Sequence, residues 1–205
     1  MPEIVVFDWG KVLFLYGKIY PALAAELFET EDIDEVRSAV ISYDYEVGKI
    51  KRAQWLEQIK ARFNLEIDIE ELNLRMFQIY YENIEMIEET MEVIHEVKSG
   101  MSRVAVLSNI NSLTVGVIKK KWPGAYSNFQ YHFLSYEMGL MKPDHQIFRK
   151  MFEELMLPPT DIVFVDDVEE NIKAARDVQI RAILFTSPQQ LREELFKKNK
   201  SDQET

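Results

Sequence analysis

Four short tracts carry the residues of this chain that could do chemistry. Asp8 follows the apolar run Ile4-Val5-Val6-Phe7 and precedes Trp9-Gly10. Ser108-Asn109 follows a second apolar run, and Asp166-Asp167 a third. Lys142 stands just before Pro143. Three carboxylates gathered in one place repel one another unless a cation sits among them. An all-oxygen set of that kind suits Mg²⁺, a hard cation that prefers carboxylates, carbonyls and water. Lys142 adds a point charge for a dianionic substrate, and Ser108 offers a hydroxyl. Backbone N–H groups near a helix start favour anions. Taken singly, each tract has a plainer reading. Ser-Asn caps helices, paired Asp makes turns, and Lys-Pro sits on surfaces. Their order and spacing argue for phosphate chemistry at one site.

The elements that must position these tracts follow from the apolar pattern. A short run apolar on both faces reads as a buried, central, parallel strand. Asp8 then falls at the carboxyl end of the first strand, the edge where open α/β sheets bind ligands. Gly10 is expected to give the tight turn and close backbone approach that follow. Residues 15 to about 84 read as helical, with no convincing strand. Ile19, Leu23 and Leu27 share one face, as do Val36, Val40 and Ile41, and Gly48 ends that second helix. Two more helices follow around residues 53–63 and 72–80, making a bundle of about four. From residue 85 helix and strand alternate, as in βαβ units. Strands are expected at 103–107, 131–134, 162–165 and 182–185. Trp122-Pro123-Gly124 breaks one helix, and Pro143 is expected to open another. The last helix runs to about Lys198, followed by a polar tail, Asn199 to Thr205.

The class is therefore α/β. A Rossmann-like parallel sheet core spans residues 1–14 and 85–205. A helical-bundle cap, residues 15–84, is inserted at the first strand's carboxyl end, with a cleft over Asp8.

Composition narrows the partners. The 205 residues are 47% hydrophobic, enough for a sizeable core, and include no cysteine. Disulfides and thiolate metal sites are excluded, which fits a reducing compartment. No apolar run approaches the length of a membrane span and no charged-then-apolar leader opens the chain, so a cytoplasmic protein without membrane partners is expected. The formal net charge of −11 opposes nucleic-acid binding. The one basic run, Lys119-Lys120-Lys121, falls at a helix end where cations suit the dipole. No oligomeric state is readable. His95, His132 and His145 lack metal-ligand spacing, and Met138 and Met141 read as packing.

The tracts FDWGKVL, LSN, GLMKPD and FVDDVEEN resemble, in order, the four motifs of the haloacid dehalogenase-like (HAD) superfamily. The likeness covers nearly the whole chain. YEVGKIKRAQW in the insertion also resembles the cap of the superfamily's small-phosphatase branch. The α-glucose-1-phosphate phosphatase-like branch is the nearest, since it shares the Asp-x-Gly and LSN-x-N tracts. The resemblance implies that Asp8 is the nucleophile and passes through an aspartyl-phosphate. It implies that Ser108 and Asn109 hold the phosphoryl oxygens with the backbone of Trp9 and Gly10. Lys142 neutralises the phosphoryl charge and restrains Asp8. Asp8, the Gly10 carbonyl, Asp166 and Asp167 would hold Mg²⁺, with Asp167 the direct ligand and Asn171 ordering their loop. Lys11 is expected to pair with an acidic cap residue or to meet a substrate anion. The family's usual second aspartate, two residues past the nucleophile, is Gly10 here. That leaves a Mg²⁺-dependent phosphatase of a small phosphorylated metabolite, possibly a sugar phosphate, slow on poor leaving groups unless its proton comes from elsewhere. The alternatives are a 2-haloacid dehalogenase-type hydrolase or a catalytically weak binding or regulatory protein.

Overall fold

The computed structural model describes residues 2–197. The expected end of the last helix at Lys198 and the polar tail lie outside the described residues. Five parallel strands form the central sheet: β1 (Ile4–Phe7), β4 (Arg103–Ser108), β5 (Tyr131–Leu134), β6 (Ile162–Asp166) and β7 (Arg181–Leu184), in the order β5-β4-β1-β6-β7. Every residue of β1 is buried, because a middle strand is covered on both faces. Its side chains alternate between two cores. Val5 and Phe7 join one apolar cluster, and Ile4 and Val6 the other. The chain runs outward from β1 through β4 to β5, then returns to the other side of β1 for β6. The strand order therefore reverses at β1, and the crevice of an open α/β sheet lies at that reversal. Phe7 is in register with Val106 on one side and Val165 on the other. Asp8, one residue on, is thereby level with the end of β6, and its N–H donates to the Val165 carbonyl at 2.8 Å.

Between Leu15 and Glu85 the chain leaves the sheet. A two-residue strand, β2 (Phe14–Leu15), pairs antiparallel with β3 (Glu85–Met86) at the root of this excursion. Two-residue strands carry no period that a sequence reading could detect. Five helices lie between them rather than four: α1 (Ile19–Glu26), α2 (Ile33–Val40), α3 (Tyr43–Glu46), α4 (Arg52–Arg62) and α5 (Ile69–Asn83). The extra one arises at Ile41-Ser42. Ile41 turns extended, and the Ser42 hydroxyl caps a new short helix through the Tyr45 N–H. Asp32 and Asp68 cap α2 and α5 in the same way.

The excursion is fastened to the sheet domain by polar contacts as well as by packing. The Tyr45 hydroxyl bridges Ser112 Oγ at 2.9 Å and the Leu113 N–H at 3.1 Å. Arg52 donates to the Ser112 carbonyl at 2.7 Å, and the buried Ser135 hydroxyl to the Glu46 carbonyl at 2.6 Å. Apolar side chains of α1, α2, α4 and α5 continue the cluster that holds Val5 and Phe7.

The remaining helices are α6 (Glu88–Ser99), α7 (Ser112–Lys121), α8 (Pro123–Ser127), α9 (Ser135–Met138), α10 (His145–Leu155), α11 (Glu169–Asp177) and α12 (Pro188–Phe196). Trp122-Pro123 breaks α7 but also starts α8, with Pro123 at its first position. Pro143 does not open α10. That helix begins at His145, and Asp144 caps it through the Gln146 N–H. Lys119, Lys120 and Lys121 lie over the rings of Tyr126, Phe77 and Tyr81, respectively, so the basic run packs on the protein's own aromatics. No helix among the described residues is long and apolar enough to cross a membrane.

Gly48 sits at φ +70, where the chain reverses after α3, and a Cβ there would collide with the Tyr136 carbonyl. Gly48→Ala should destabilise the protein by about 2 kcal/mol or more, from left-handed strain plus the collision. A thermal melt should fall by roughly 4–8 °C. An unchanged melting temperature would show that the junction between insertion and sheet domain is looser than described.

Candidate active site

The ends of β1, β4 and β6 meet around one lysine. Lys142 is 3% exposed, and Asp8 and Asp166 are 7% and 0% exposed. The Lys142 ammonium lies 2.6 Å from Asp166 Oδ2 and 2.9 Å from Asp8 Oδ1, and it donates to the Leu107 carbonyl at 2.9 Å. Burial alone would pull the ammonium down, but Asp8 and Asp166 outweigh it and hold Lys142 above its ordinary value. The Asp8 carboxyl is raised above the ordinary carboxylate range. Burial is the main cause, the Lys142 charge opposes it, and Asp166 adds to it. The Ser108 hydroxyl, at the end of β4, stands beside Asp8.

Asp166 is held from all sides. Its Oδ1 accepts from the Val168 N–H at 2.8 Å and from Asn171 Nδ2 at 3.1 Å. Its Oδ2 accepts from Asn171 Nδ2 at 3.0 Å as well as from Lys142. Asn171, in the first turn of α11, thus orders this carboxylate directly. Asp167 is looser. Its one ion pair is with Lys11 at 3.6 Å, and Lys11 is largely in solvent. Lys11 therefore meets a carboxylate of the sheet domain, not one from the inserted helices.

Asn109 has a different job from the one its motif suggests. Its side-chain amide donates to the Lys142 carbonyl and its side-chain carbonyl accepts the Lys142 N–H, both at 2.8 Å. The side chain is used up in placing Lys142, which leaves only its backbone to face a ligand. Trp9 turns its ring away from the site, among Phe14, Tyr126, Phe129 and His132. Gly10 does not adopt the left-handed conformation. Lys11 does, at φ 54, so the turn after Asp8 is made one residue later than expected.

A cavity of about 240 Å³ opens above Asp8. The sheet domain contributes Asp8, Gly10, Asn109 and Asp167, and the insertion Tyr16, Tyr20, Glu46 and Tyr80. Other polar residues of the insertion lie elsewhere: Lys18 pairs with Glu85 and Lys49 with Asp44, while Tyr43 is exposed. Tyr45 is buried against Trp55. Glu46 and Tyr80 went unread. Glu46 lies within the YEVGKI tract, but only the break at Ile41 turns it toward the cavity. None of the three histidines lines it.

Asp8, Asp166 and Asp167 can each offer one oxygen, all within 4.8 Å of one another. This is a donor set for a hard divalent cation. The single buried ammonium of Lys142 balances only one of its charges. The residues present therefore fit a bound Mg²⁺.

Residues 2–179 match the haloacid dehalogenase-like hydrolase family, and the chain belongs to that family. Drimenol cyclase drtB of Aspergillus calidoustus is 24% identical over 199 residues, covering 95% of this chain. The chain spans only 36% of that cyclase. A HAD family enzyme of Bacteroides thetaiotaomicron, solved in complex with magnesium and inorganic phosphate, superposes with a TM-score of 0.77 at 18% identity, with 100% of both chains covered. The L-2-haloacid dehalogenase of Xanthobacter autotrophicus, with chloropropionic acid covalently bound, gives 0.67 at 17% identity, covering 95% of this chain and 82% of the dehalogenase. Likenesses at these identities describe the fold.

The two adjacent aspartates should separate by stability. Asp166→Ala strips a buried ion pair and three further hydrogen bonds, and should destabilise by about 3 kcal/mol or more. Asp167→Ala removes one 3.6 Å pair to a lysine that is mostly in solvent and should cost no more than about 1 kcal/mol. Urea unfolding of both variants measures this, and equal losses would refute the assignment of Asp166 as the anchor.

Proposed function

We propose that the chain is a Mg²⁺-dependent phosphatase of a small phosphorylated metabolite. The Asp8-x-Gly10 and Leu107-Ser108-Asn109-x-Asn111 tracts favour the α-glucose-1-phosphate phosphatase-like branch, and with it a sugar phosphate. The observation that carries the reading is the cluster of three carboxylates, two of them on one buried lysine. We take residues 15–84 as a cap whose side chains wall the leaving-group side of the cavity and keep bulk water from the phosphoryl group.

Asp8, Asp166, Asp167 and the Gly10 carbonyl would hold the ion, which when bound supplies positive charge to the phosphoryl oxygens. Asp8 attacks phosphorus, and the bond to the leaving oxygen breaks, giving an aspartyl-phosphate. Water then attacks that phosphorus, releasing inorganic phosphate and restoring Asp8. Two of the Lys142 protons are committed to Leu107 and Asp166, so only its Asp8 side is free to meet the phosphoryl group. It thus acts by charge and by restraining Asp8. Ser108 and the backbone N–H groups of Trp9, Gly10 and Asn109 cradle the phosphoryl oxygens.

A dehalogenase would use the same Asp8 on carbon, with no task for Asp167. A regulatory module would need neither reaction. Turnover of an aryl phosphate in Mg²⁺, and none of a 2-haloacid, is the expected result. Halide release without metal, or no turnover of either compound, would sink the phosphatase reading.

Asp8→Asn should lower turnover by on the order of 10⁴–10⁶. The same variant should melt above the wild type at neutral pH in EDTA. Because the Asp8 carboxyl is raised in the folded chain, the folded state binds its proton more tightly than the unfolded one. Ionisation of Asp8 therefore costs stability as pH climbs past the carboxylate range, and that cost vanishes when both states are protonated. The advantage of Asn should accordingly shrink as pH falls into that range. Wild-type activity in this variant would rule out the covalent route.

Asp167→Ala should raise the Mg²⁺ concentration needed for half-maximal turnover by roughly 10-fold or more, and by a larger factor than Asp166→Asn. Mg²⁺ titrations decide it. Equal midpoints, or a larger shift in the Asp166 variant, would reverse the ligand order.

A further inference from the structure

Position 10 lacks the carboxylate that would protonate a leaving group, and the structure shows what occupies the space. A Cβ built on Gly10 would lie 3.4 Å from Asp8 Oδ2 and 3.5 Å from Tyr16 Cε2. Cε2 is bonded to the ring carbon that bears the hydroxyl. The edge of the Tyr16 ring thus lies in van der Waals contact with the place a Cβ at position 10 would take, which is itself beside the nucleophile's Oδ2. Its hydroxyl is buried and has no hydrogen-bond partner among the described residues. A buried, unpaired hydroxyl costs about 1–3 kcal/mol, so its retention calls for a partner that arrives with the substrate. Tyr16 lines the same cavity as Asp8, and it follows directly on β2, the ribbon at the root of the insertion. That places its backbone at the sheet domain's edge.

We propose that Tyr16 is a catalytic residue that donates its hydroxyl proton to the leaving-group oxygen, in place of a side chain at position 10. The inference rests on the phosphatase reading. As Asp8 forms its bond to phosphorus, the P–O bond to the organic group breaks, and the Tyr16 proton passes to that oxygen, releasing a neutral alcohol. The phenolate recovers a proton from the water that attacks the aspartyl-phosphate, so neither charge nor protons accumulate over a cycle. Tyr16 resists ionisation more than a free tyrosine, first by burial and then by the charge of Asp8 and by Tyr20. An alkoxide leaving group gains most from a donated proton, whereas a phenolate leaving group gains little. Tyr16 therefore extends the substrate range to esters of ordinary alcohols and is nearly idle on aryl esters.

The test compares kcat/KM for a series of alkyl and aryl phosphates in the wild type and in Tyr16→Phe, with Mg²⁺ present. In the wild type, log kcat/KM should fall only gently with leaving-group pKa. In Tyr16→Phe it should fall steeply, with alkyl phosphates losing about 10²-fold or more and 4-nitrophenyl phosphate staying within about threefold. Phenylalanine keeps the ring and removes an unpaired hydroxyl, so the melting temperature should hold or rise. That measurement is independent of turnover, and a clear fall would show that the hydroxyl already has a structural partner, which overturns the proposal. An equal loss on both ester classes, or no loss on either, overturns it as well. A wild type that is active but already steep shows that no donor operates, and Tyr16 falls while the phosphatase reading stands. A wild type that hydrolyses none of these esters overturns both.

Discussion

A lysine ammonium cannot be taken out of water without compensation worth several kcal/mol. Lys142 is buried at the carboxyl edge of the sheet and receives that compensation from Asp8, Asp166 and the Leu107 carbonyl. These three groups belong to three different strand ends. They reach one point only because β1 lies between β4 and β6 and the three strands are parallel and in register. The order of the sheet is thus a condition for the charge cluster. The cluster in turn binds together the loops that follow β1, β4 and β6.

Around the cluster sits a layer of neutral polar side chains that determine its geometry. Asn109 clamps the backbone of Lys142, and Asn171 grips both oxygens of Asp166. Each amide acts on a charged group without carrying charge itself, so position is gained with no further desolvated ion. Asp167, outside this layer and partly in solvent, is the carboxylate with most freedom to turn toward a cation. Two adjacent residues of one type are thereby split into a fully bonded anchor and a less constrained carboxylate.

The inserted helices are held over this edge through Tyr45, Arg52 and Ser135. These contacts determine where the aromatic wall of the cavity stands relative to Asp8. The cavity is lined by tyrosines and aliphatic side chains, and Glu46 is its one acid from the insertion. Burial raises the Glu46 carboxyl. Among the described residues, Lys11 is the one cation in the cavity's lining.

The parallel sheet, its strand ends and the positions of Asp8, Ser108 and Asp166-Asp167 were legible in the chain itself, while Lys142, which ends no apolar run, stood out only through its motif. Their signals are local: a run apolar on both faces needs burial on both faces, and a polar residue ending such a run must lie at the sheet's edge. The helical character of residues 15–84 was legible for the same reason. What the side chains touch was not. The Asn109 side chain looks like a phosphate ligand until it is found on the backbone of Lys142, 33 residues away in sequence. The turn residue looks like Gly10 until Lys11 proves to take the left-handed conformation. The short β2–β3 ribbon and the extra helix α3 depend on pairings and caps too brief to leave a period. Tyr16 is one tyrosine among nine in the sequence. Only the tertiary structure sets its ring against the empty place at Gly10, because that contact depends on how the chain turns after β1, which no run of residue types encodes.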